Sequence, residues 1–276
     1  MNKIRAHLRR FSFHLGKKIN TGSQKFKMRG YYASRLDWDD KHEPYMLKII
    51  RKQIENNDGT FLDIGVNVGQ TLLKVLEINR DQRYLGIEPL IGCCFHVQEF
   101  LRLNNLHNAS IIPIALSDKN GTMKLFFRHQ FDDMASFDDS NEGRRAKGVD
   151  TMFTYVQTRI GDELIKELNI DQISTIKIDV EGAEIRVLRG LKDTLKAMKP
   201  TIIFEVLPNY YWIGEYISLS SEAAKNNQAN ADAIYAFLTD LGYDIFLLDH
   251  SGNEIKINKF ILDNKSSIIG TNYIAY

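Results

Sequence analysis

Residues 175–184 read Thr-Ile-Lys-Ile-Asp-Val-Glu-Gly-Ala-Glu, an apolar β-branched run that closes on acids and a glycine. Helical periodicity over Glu184–Met198 follows it, so the stretch predicts a strand, a turn and a helix in that order. The same unit recurs on both sides. Strand-like runs are Phe61–Val66, Tyr84–Glu88, Ser110–Leu116, Thr175–Val180, Ile202–Leu207, Ile245–Asp249 and Ser267–Tyr276. Helical patterns cover Glu43–Glu55, Thr71–Ile78, Phe95–Leu103 and Ala231–Leu241. Strands alternating with helices of this length predict an α/β fold, a doubly wound parallel sheet with helices on both faces. Pro113 falls inside the third run, and proline within a strand argues for a sheet edge.

The alternation breaks once, between residues 117 and 170. There Thr122–Arg128 and Phe153–Thr158 read as further strands around the polar stretch 129–150. A polar stretch of that length inside a compact domain is a substrate lid or a disordered insertion, and the lid is the reading taken. The domain is expected over residues 41–276. Residues 1–40 are expected to form a basic helical arm, because Ile4, Leu8, Phe11 and Leu15 recur at helical spacing.

The whole chain has 276 residues and a formal net charge of +1. That balance hides an asymmetry. Residues 1–30 hold nine Lys/Arg and no acid, which leaves 27 bases against 35 acids beyond them. A basic arm of this kind suits docking on the domain or contact with a membrane surface or glycolipid. The acidic main domain and the lack of interleaved stacking aromatics in the arm argue against nucleic acid. No apolar stretch is long enough for a transmembrane helix. The two cysteines, Cys93 and Cys94, are adjacent, which excludes a disulfide framework and a sulfur-rich zinc site. A reducing, cytoplasmic setting is expected, with a membrane-peripheral one through the basic arm as the alternative.

The candidate chemistry sits at strand ends. Phe61-Leu62-Asp63-Ile64-Gly65-Val66-Asn67-Val68-Gly69-Gln70 spaces its glycines four apart, unlike a dinucleotide fingerprint, and it lacks the Gly-Lys-Ser/Thr of a P-loop. Glycines at such a turn let a ligand approach the backbone. The carboxylate of Asp63 would repel a pyrophosphate but suits an amine-bearing cofactor. Glu88 closes the next strand about 20 residues on, where an acid accepts ribose hydroxyls. Asp179 and Glu181 are two apart and share a face if the strand persists through them. Glu205 joins them if its strand is a neighbour, and crowded carboxylates raise one another's pKa towards that of a general base. Glu184, in the first turn of the next helix, suits the helix dipole. Asp179, Glu181 and Glu205 also form an oxygen-only set of the kind that suits Mg²⁺ or Ca²⁺, although no metal site is assigned. No zinc pattern occurs among the seven histidines, and His129 beside the lid is a distant candidate base.

Together, FLDIGVNVGQ, YLGIEP, IIPIALSDKNGTMKLF, TIKIDVEGAEIRVLRGL and KPTIIFEV resemble the FkbM family of S-adenosylmethionine-dependent methyltransferases. The resemblance runs from about Glu43 to the C-terminal SSIIGTNYIAY. It implies a Rossmann-like sheet of seven strands, in the order 3-2-1-4-5-7-6 with the last antiparallel. Asp63, Gly65, Asn67 and Gly69 would line the methionine part of the cofactor, with Asp179 beside them. Glu88, next to Pro89, would hold the ribose. Adenine would lie near Ala115 to Asp118, with Ser117 or Asp118 on its amine. Where family members commonly show two acids before the fourth strand, this chain has Gly161 and Asp162, so only the second is matched.

The function the resemblance implies is O-methylation of a hydroxyl on a sugar, glycan or secondary metabolite. Transfer would be in line, with Asp179, Glu181 or Glu205 as proton acceptor. Two rivals remain at this stage. One is an NAD-type dehydrogenase, disfavoured by Asp63 and the missing third glycine. The other is a non-catalytic binding protein that works through its basic arm.

Overall fold

The computed structural model describes residues 17–28, 43–132, 134–137, 151–212, 216–218, 220–262 and 271–276. The chain enters as a hairpin, β1 (Lys17–Asn20) and β2 (Lys25–Met28). Strand-helix units follow: α1 (Pro44–Asn56), β3 (Thr60–Ile64), α2 (Gln70–Ile78), β4 (Tyr84–Ile87), α3 (Ile91–Leu103) and β5 (Ala109–Ile112). An excursion of β6 (Ala115–Ser117), β7 (Gly121–Phe127) and β8 (Met152–Ile160) interrupts them. The alternation resumes with α4 (Gly161–Glu167), β9 (Ile173–Ile178), α5 (Glu184–Gly190), α6 (Lys192–Met198) and β10 (Thr201–Glu205). The last part holds β11 (Tyr210–Trp212), β12 (Tyr216–Ser218), α7 (Ser221–Asp240), β13 (Ile245–Leu248), β14 (Glu254–Lys256) and β15 (Asn272–Ala275).

The large sheet runs β14-β13-β15-β10-β9-β3-β4-β5. Its five strands from β10 to β5 are mutually parallel. β15 lies antiparallel between β10 and β13, and β14 adds one strand more than the resemblance implies. β3 and β9 are buried along their whole length, as central parallel strands covered on both faces must be. On one face Phe61, Tyr84, Ile203 and Ile274 pack against apolar side chains of α1, α2 and α3. On the other, Leu62, Ile64, Ile176, Ile178 and Phe204 pack against α4, α5, α6 and α7.

Two local expectations change, each for a physical reason. The run Ser110–Leu116 is two strands, because Pro113 lacks the N–H needed to continue the ladder; β5 ends before it at the sheet edge and β6 pairs with β8 instead. The helical pattern of Glu184–Met198 is two helices that break at Leu191. Gly190 approaches the excursion so closely there that a Cβ would lie 2.1 Å from the Ser117 carbonyl oxygen. Asp162 caps the second helix from outside, accepting N–H bonds from Asp193 and Thr194 at 2.9 and 2.8 Å.

The expected helical arm differs more. The stripe Ile4, Leu8, Phe11 and Leu15 lies outside the described residues. Residues 17–28, within the same expected arm, are the β1–β2 hairpin, whose alternation buries Ile19, Phe26 and Met28 and exposes Lys18, Lys25 and Lys27. Phe26 packs 5.5 Å from Phe100, and Asn104 brackets the Lys27 backbone with two bonds of 2.7 Å.

Glu77 fixes the hairpin turn, taking the Thr21 hydroxyl and, at 2.7 Å, the Ser23 N–H. Burial works to raise its pKa, but these hydrogen bonds outweigh burial and hold it below the usual glutamate value. Its stabilising contribution is therefore present at neutral pH and lost as pH falls through that lowered value. Glu77→Ala is expected to cost about 1–3 kcal/mol. Hydrogen exchange should speed up in residues 17–28 and leave β3 and β9 unchanged; exchange in residues 17–28 equal to that of the wild type would show that the hairpin is held by its apolar face alone.

Candidate active site

The carboxyl ends of β3, β4, β9 and β10 open into a cavity of about 640 Å³, within the range of small-molecule sites. β3 leads into it through a turn with three left-handed residues, Gly65, Asn67 and Gly69. The Gly65 N–H donates to the Ile87 carbonyl at 2.9 Å, and the Asp179 N–H donates to the Ile64 carbonyl at the same distance. A Cβ on Gly65 would lie 1.8 Å from the Asp179 carbonyl oxygen. Only glycine fits there, and it brings the first and fourth parallel strands of the domain into contact at the cavity floor.

Glu88 closes β4 beside that turn. Its two oxygens accept the N–H groups of Asn67 and Leu90, each at 2.8 Å. Burial nevertheless raises its carboxyl to about 7, against the pull of those two amides. Four acceptor sites on a carboxylate leave room for hydroxyl donors as well. Asp63 is fully buried behind the turn and takes the Tyr84 hydroxyl at 2.5 Å. Burial raises it to about 6, although Lys177 and Tyr84 oppose this, and its Oδ1 has no hydrogen-bond partner.

Asp179, Glu181 and Glu205 come together, but not through the pleat. β9 ends at Ile178, and Glu181 is left-handed at φ 55°, so the expectation that the strand carries both acids on one face is corrected. A turn delivers Glu181 instead, closed by Glu184, which is buried and accepts the Gly182 N–H at 3.0 Å. One oxygen from each of Asp179, Glu181 and Glu205 lies within 4.8 Å of the others. Burial, followed by the nearby charges of Asp179 and Glu181, pushes Glu205 well above the usual carboxyl value. Three carboxylates are a partial shell for a hard cation, and no metal is assigned to them.

Of the cofactor residues expected from sequence, Gly65, Asn67, Glu88, Pro89, Ala115 and Asp179 line the cavity, as do the proposed catalytic acids Glu181 and Glu205. Asp63, Gly69, Ser117 and Asp118 are not among the lining residues. Gly69 serves as the left-handed residue before α2. Ser117 is buried, bonded to Asp118 at 3.2 Å, in the strand that Pro113 diverts towards β8.

The wall opposite the strands is the first part of the expected lid. Phe131, Asp132, Met134, Ala135 and Phe137 line the cavity, whereas residues 138–150 lie outside the described residues. Asn67 donates to the Asp132 carbonyl at 3.1 Å, and the Ser136 hydroxyl donates to the Glu181 carbonyl at 3.1 Å. The segment is thus tied both to the glycine turn and to the acid turn. Arg128 holds the Asp132 carboxylate, and this hydrogen bonding outweighs burial and keeps Asp132 below the usual aspartate value.

Sequence reading missed Lys177, Lys74 and Glu43, which also line the cavity. Lys177 had a signal: it is the one charged residue in Ile173–Ile178, a strand buried throughout. Its ammonium pairs with Asp179 at 2.7 Å. Burial works against its charge, but Asp179 and Asp63 more than offset that and hold it above the usual lysine value. Six carboxylates line the cavity, against these two lysines.

The profile of the methyltransferase FkbM domain matches residues 63–245, most of the described sheet and both acid-bearing turns. This chain belongs to the FkbM methyltransferase family. Among curated relatives, 2-O-methyltransferase NoeI of Sinorhizobium fredii is 27% identical over 150 residues, covering 51% of this chain and 61% of NoeI. Methyltransferase 1 of Beauveria bassiana is 24% identical over 149 residues, covering 50% of this chain and 60% of that protein. This FkbM-family chain therefore spans about three-fifths of the length of each. Among solved structures, a methyltransferase FkbM from Methylobacillus flagellatus KT aligns over 79% of this chain and 44% of its own, with a TM-score of 0.47 and 15% identity. No helix among the described residues is long and apolar enough to cross a membrane.

Proposed function

We propose that this FkbM-family protein is an S-adenosylmethionine-dependent O-methyltransferase acting on a hydroxyl of a glycan or hydroxylated metabolite. The observation that carries the reading is an acid-lined cavity built on a turn that only Gly65 can make. Further support comes from counting strands along the parallel domain, where the order reads 3-2-1-4-5-7-6 with β14 added. The residues fit the cofactor. Asp63 keeps an orphaned buried oxygen behind the turn, Glu88 has acceptor capacity for ribose hydroxyls, and the excess of carboxylates favours a cationic ligand. The similarity to NoeI, a 2-O-methyltransferase, supports an oxygen acceptor.

When bound, S-adenosylmethionine supplies a methyl group whose bond to sulfur breaks, the electron pair staying on sulfur, as the acceptor oxygen bonds the carbon. The chain's own part is to position the acceptor and take its proton. Glu205 is the proton acceptor in this reading, since it lies in the cluster with Asp179 and Glu181, and once ionised its raised pKa makes it the stronger base. Asp179 and Glu181 lie beside it and orient the hydroxyl. The first part of the lid excludes water from the far side, and contact of the basic arm with a membrane or glycolipid is a separate part of this reading.

The test is a calorimetric titration with S-adenosylmethionine, S-adenosylhomocysteine and NAD, with and without Mg²⁺. Saturable binding of the two sulfur compounds alone is expected; binding of NAD alone would overturn the reading in favour of a dehydrogenase. The affinity for S-adenosylhomocysteine should rise with pH through about 7, because Glu88 must ionise to accept ribose hydroxyls. The stability of the ligand-free protein should change in the opposite sense. A carboxyl raised in the native state contributes stability fully present below the ordinary glutamate value and lost as pH rises through about 7. A flat affinity profile from pH 5.5 to 8.5 would remove Glu88 from the ribose role.

A further inference from the structure

Lys177 lies in the middle of the sheet, directly across from Asp63 on β3 and Ile203 on β10. Its side chain is 8% exposed, and what is exposed lines the cavity. An ammonium carries three donors. Among the described residues Lys177 uses one, to Asp179 Oδ2. Leaving buried donors unmade is costly, so a buried ammonium with two of three unused, opening on a cavity, is built for an oxygen that arrives with a ligand. The main chain of Asp179 is already fixed through its N–H bond to Ile64 and its close contact with Gly65. Holding the backbone of the turn is therefore not the task of Lys177.

We propose that Lys177 is a catalytic residue that donates a hydrogen bond to the reacting hydroxyl oxygen of the acceptor, beside the Asp179, Glu181 and Glu205 carboxylates. This rests on the methyl-transfer reading and deepens it. The hydroxyl is bracketed: its oxygen accepts from Lys177, and its proton passes to a carboxylate of the cluster as the oxygen attacks the methyl carbon. A donor fixed before reaction stabilises the negative charge that grows on that oxygen. The arrangement selects an acceptor that presents a neutral hydroxyl. A phosphate or carboxylate would meet three acids for one already engaged ammonium.

The experiment compares the wild type with Lys177→Met, and with Lys177→Arg in case the first variant folds poorly. Two measurements are made on each: calorimetric binding of S-adenosylhomocysteine, and transfer of labelled methyl from S-adenosylmethionine to the best acceptor in a panel of methyl glycosides. Lys177→Met is expected to change the affinity for S-adenosylhomocysteine less than about threefold and to lower kcat about 100-fold or more, with partial recovery in Lys177→Arg. Affinity lost about tenfold with kcat unchanged at saturating cofactor would overturn the proposal and assign the donors to the cofactor's carboxylate. Unchanged kcat and affinity, with a lowered Tm, would show a structural role only and would also overturn it. A wild type that binds S-adenosylhomocysteine yet methylates no glycoside rejects the hydroxyl acceptor, and the proposal with it. Failure to bind the sulfur compounds at all is a failure of the cofactor reading.

Discussion

Gly65→Ala is expected to abolish measurable S-adenosylhomocysteine binding and to lower stability by about 3 kcal/mol or more. Two effects combine. The residue sits at φ 90°, where an L side chain is strained, and its new Cβ would lie 1.8 Å from the Asp179 carbonyl oxygen. That oxygen follows directly on the central strand β9, where the Asp179 N–H is bonded to the Ile64 carbonyl, so β3 and β9 must part at the cavity floor. Gly69→Ala is the matched control. It is also left-handed, at φ 94°, but its nearest neighbour would be a Val97 methyl at 3.6 Å, an ordinary van der Waals contact. Strain alone should cost it about 1–2 kcal/mol and leave binding largely intact. Calorimetry and urea denaturation on both variants decide the matter, and equal behaviour of the two would mean that the close approach at Gly65 does not build the ligand cradle.

The second large effect is expected for Glu205→Gln. On the proposed reading the variant keeps its fold and its affinity for S-adenosylhomocysteine, while methyl transfer falls about 100-fold or more, the usual loss when a positioned proton acceptor is removed. Its position is decided by pairing: β10 holds Glu205 one strand from Asp179 and directly opposite Asn272 of β15. Glutamine preserves the shape and relieves the repulsion from Asp179 and Glu181, so loss of stability is not expected to obscure the result. Full turnover in Glu205→Gln would transfer proton acceptance to Asp179 or Glu181, and the same assay on Glu181→Gln would then separate those two.

Much of the fold was legible because it depends on local pattern. Buried parallel strands are largely apolar, and helices that cover them repeat every three to four residues; Phe61–Val66, interrupted only by Asp63 and Gly65, and Thr71–Ile78 show both. The glycine turn was legible for a related reason, since residues that bend a chain sharply are few. Pro113 marked a sheet edge correctly but concealed a second strand, because a sequence shows where a ladder must stop and not which partner the chain takes next. The hairpin at residues 17–28 was missed. Its alternation spans only four residues on each side, and an adjacent helical stripe overrode it.

The sequence by itself determined the alternating architecture, the turn at Gly65 and the acids that close β4 and β9. Tertiary structure alone decided which of the strand-end acids reach the cavity. Asp63 and Glu88 stand at the ends of adjacent strands, yet one is sealed behind Tyr84 and the other lines the cavity. Glu181 reaches the cluster through a left-handed turn rather than a pleat. Lys177, which reads as a lone polar interruption in Ile173–Ile178, becomes a buried ammonium between two carboxylates. The physical reason is the same in each case. Periodicity is set by neighbours along the chain, whereas the charge and reach of a site are set by groups on adjacent strands, whose distance in sequence says nothing of their distance in space.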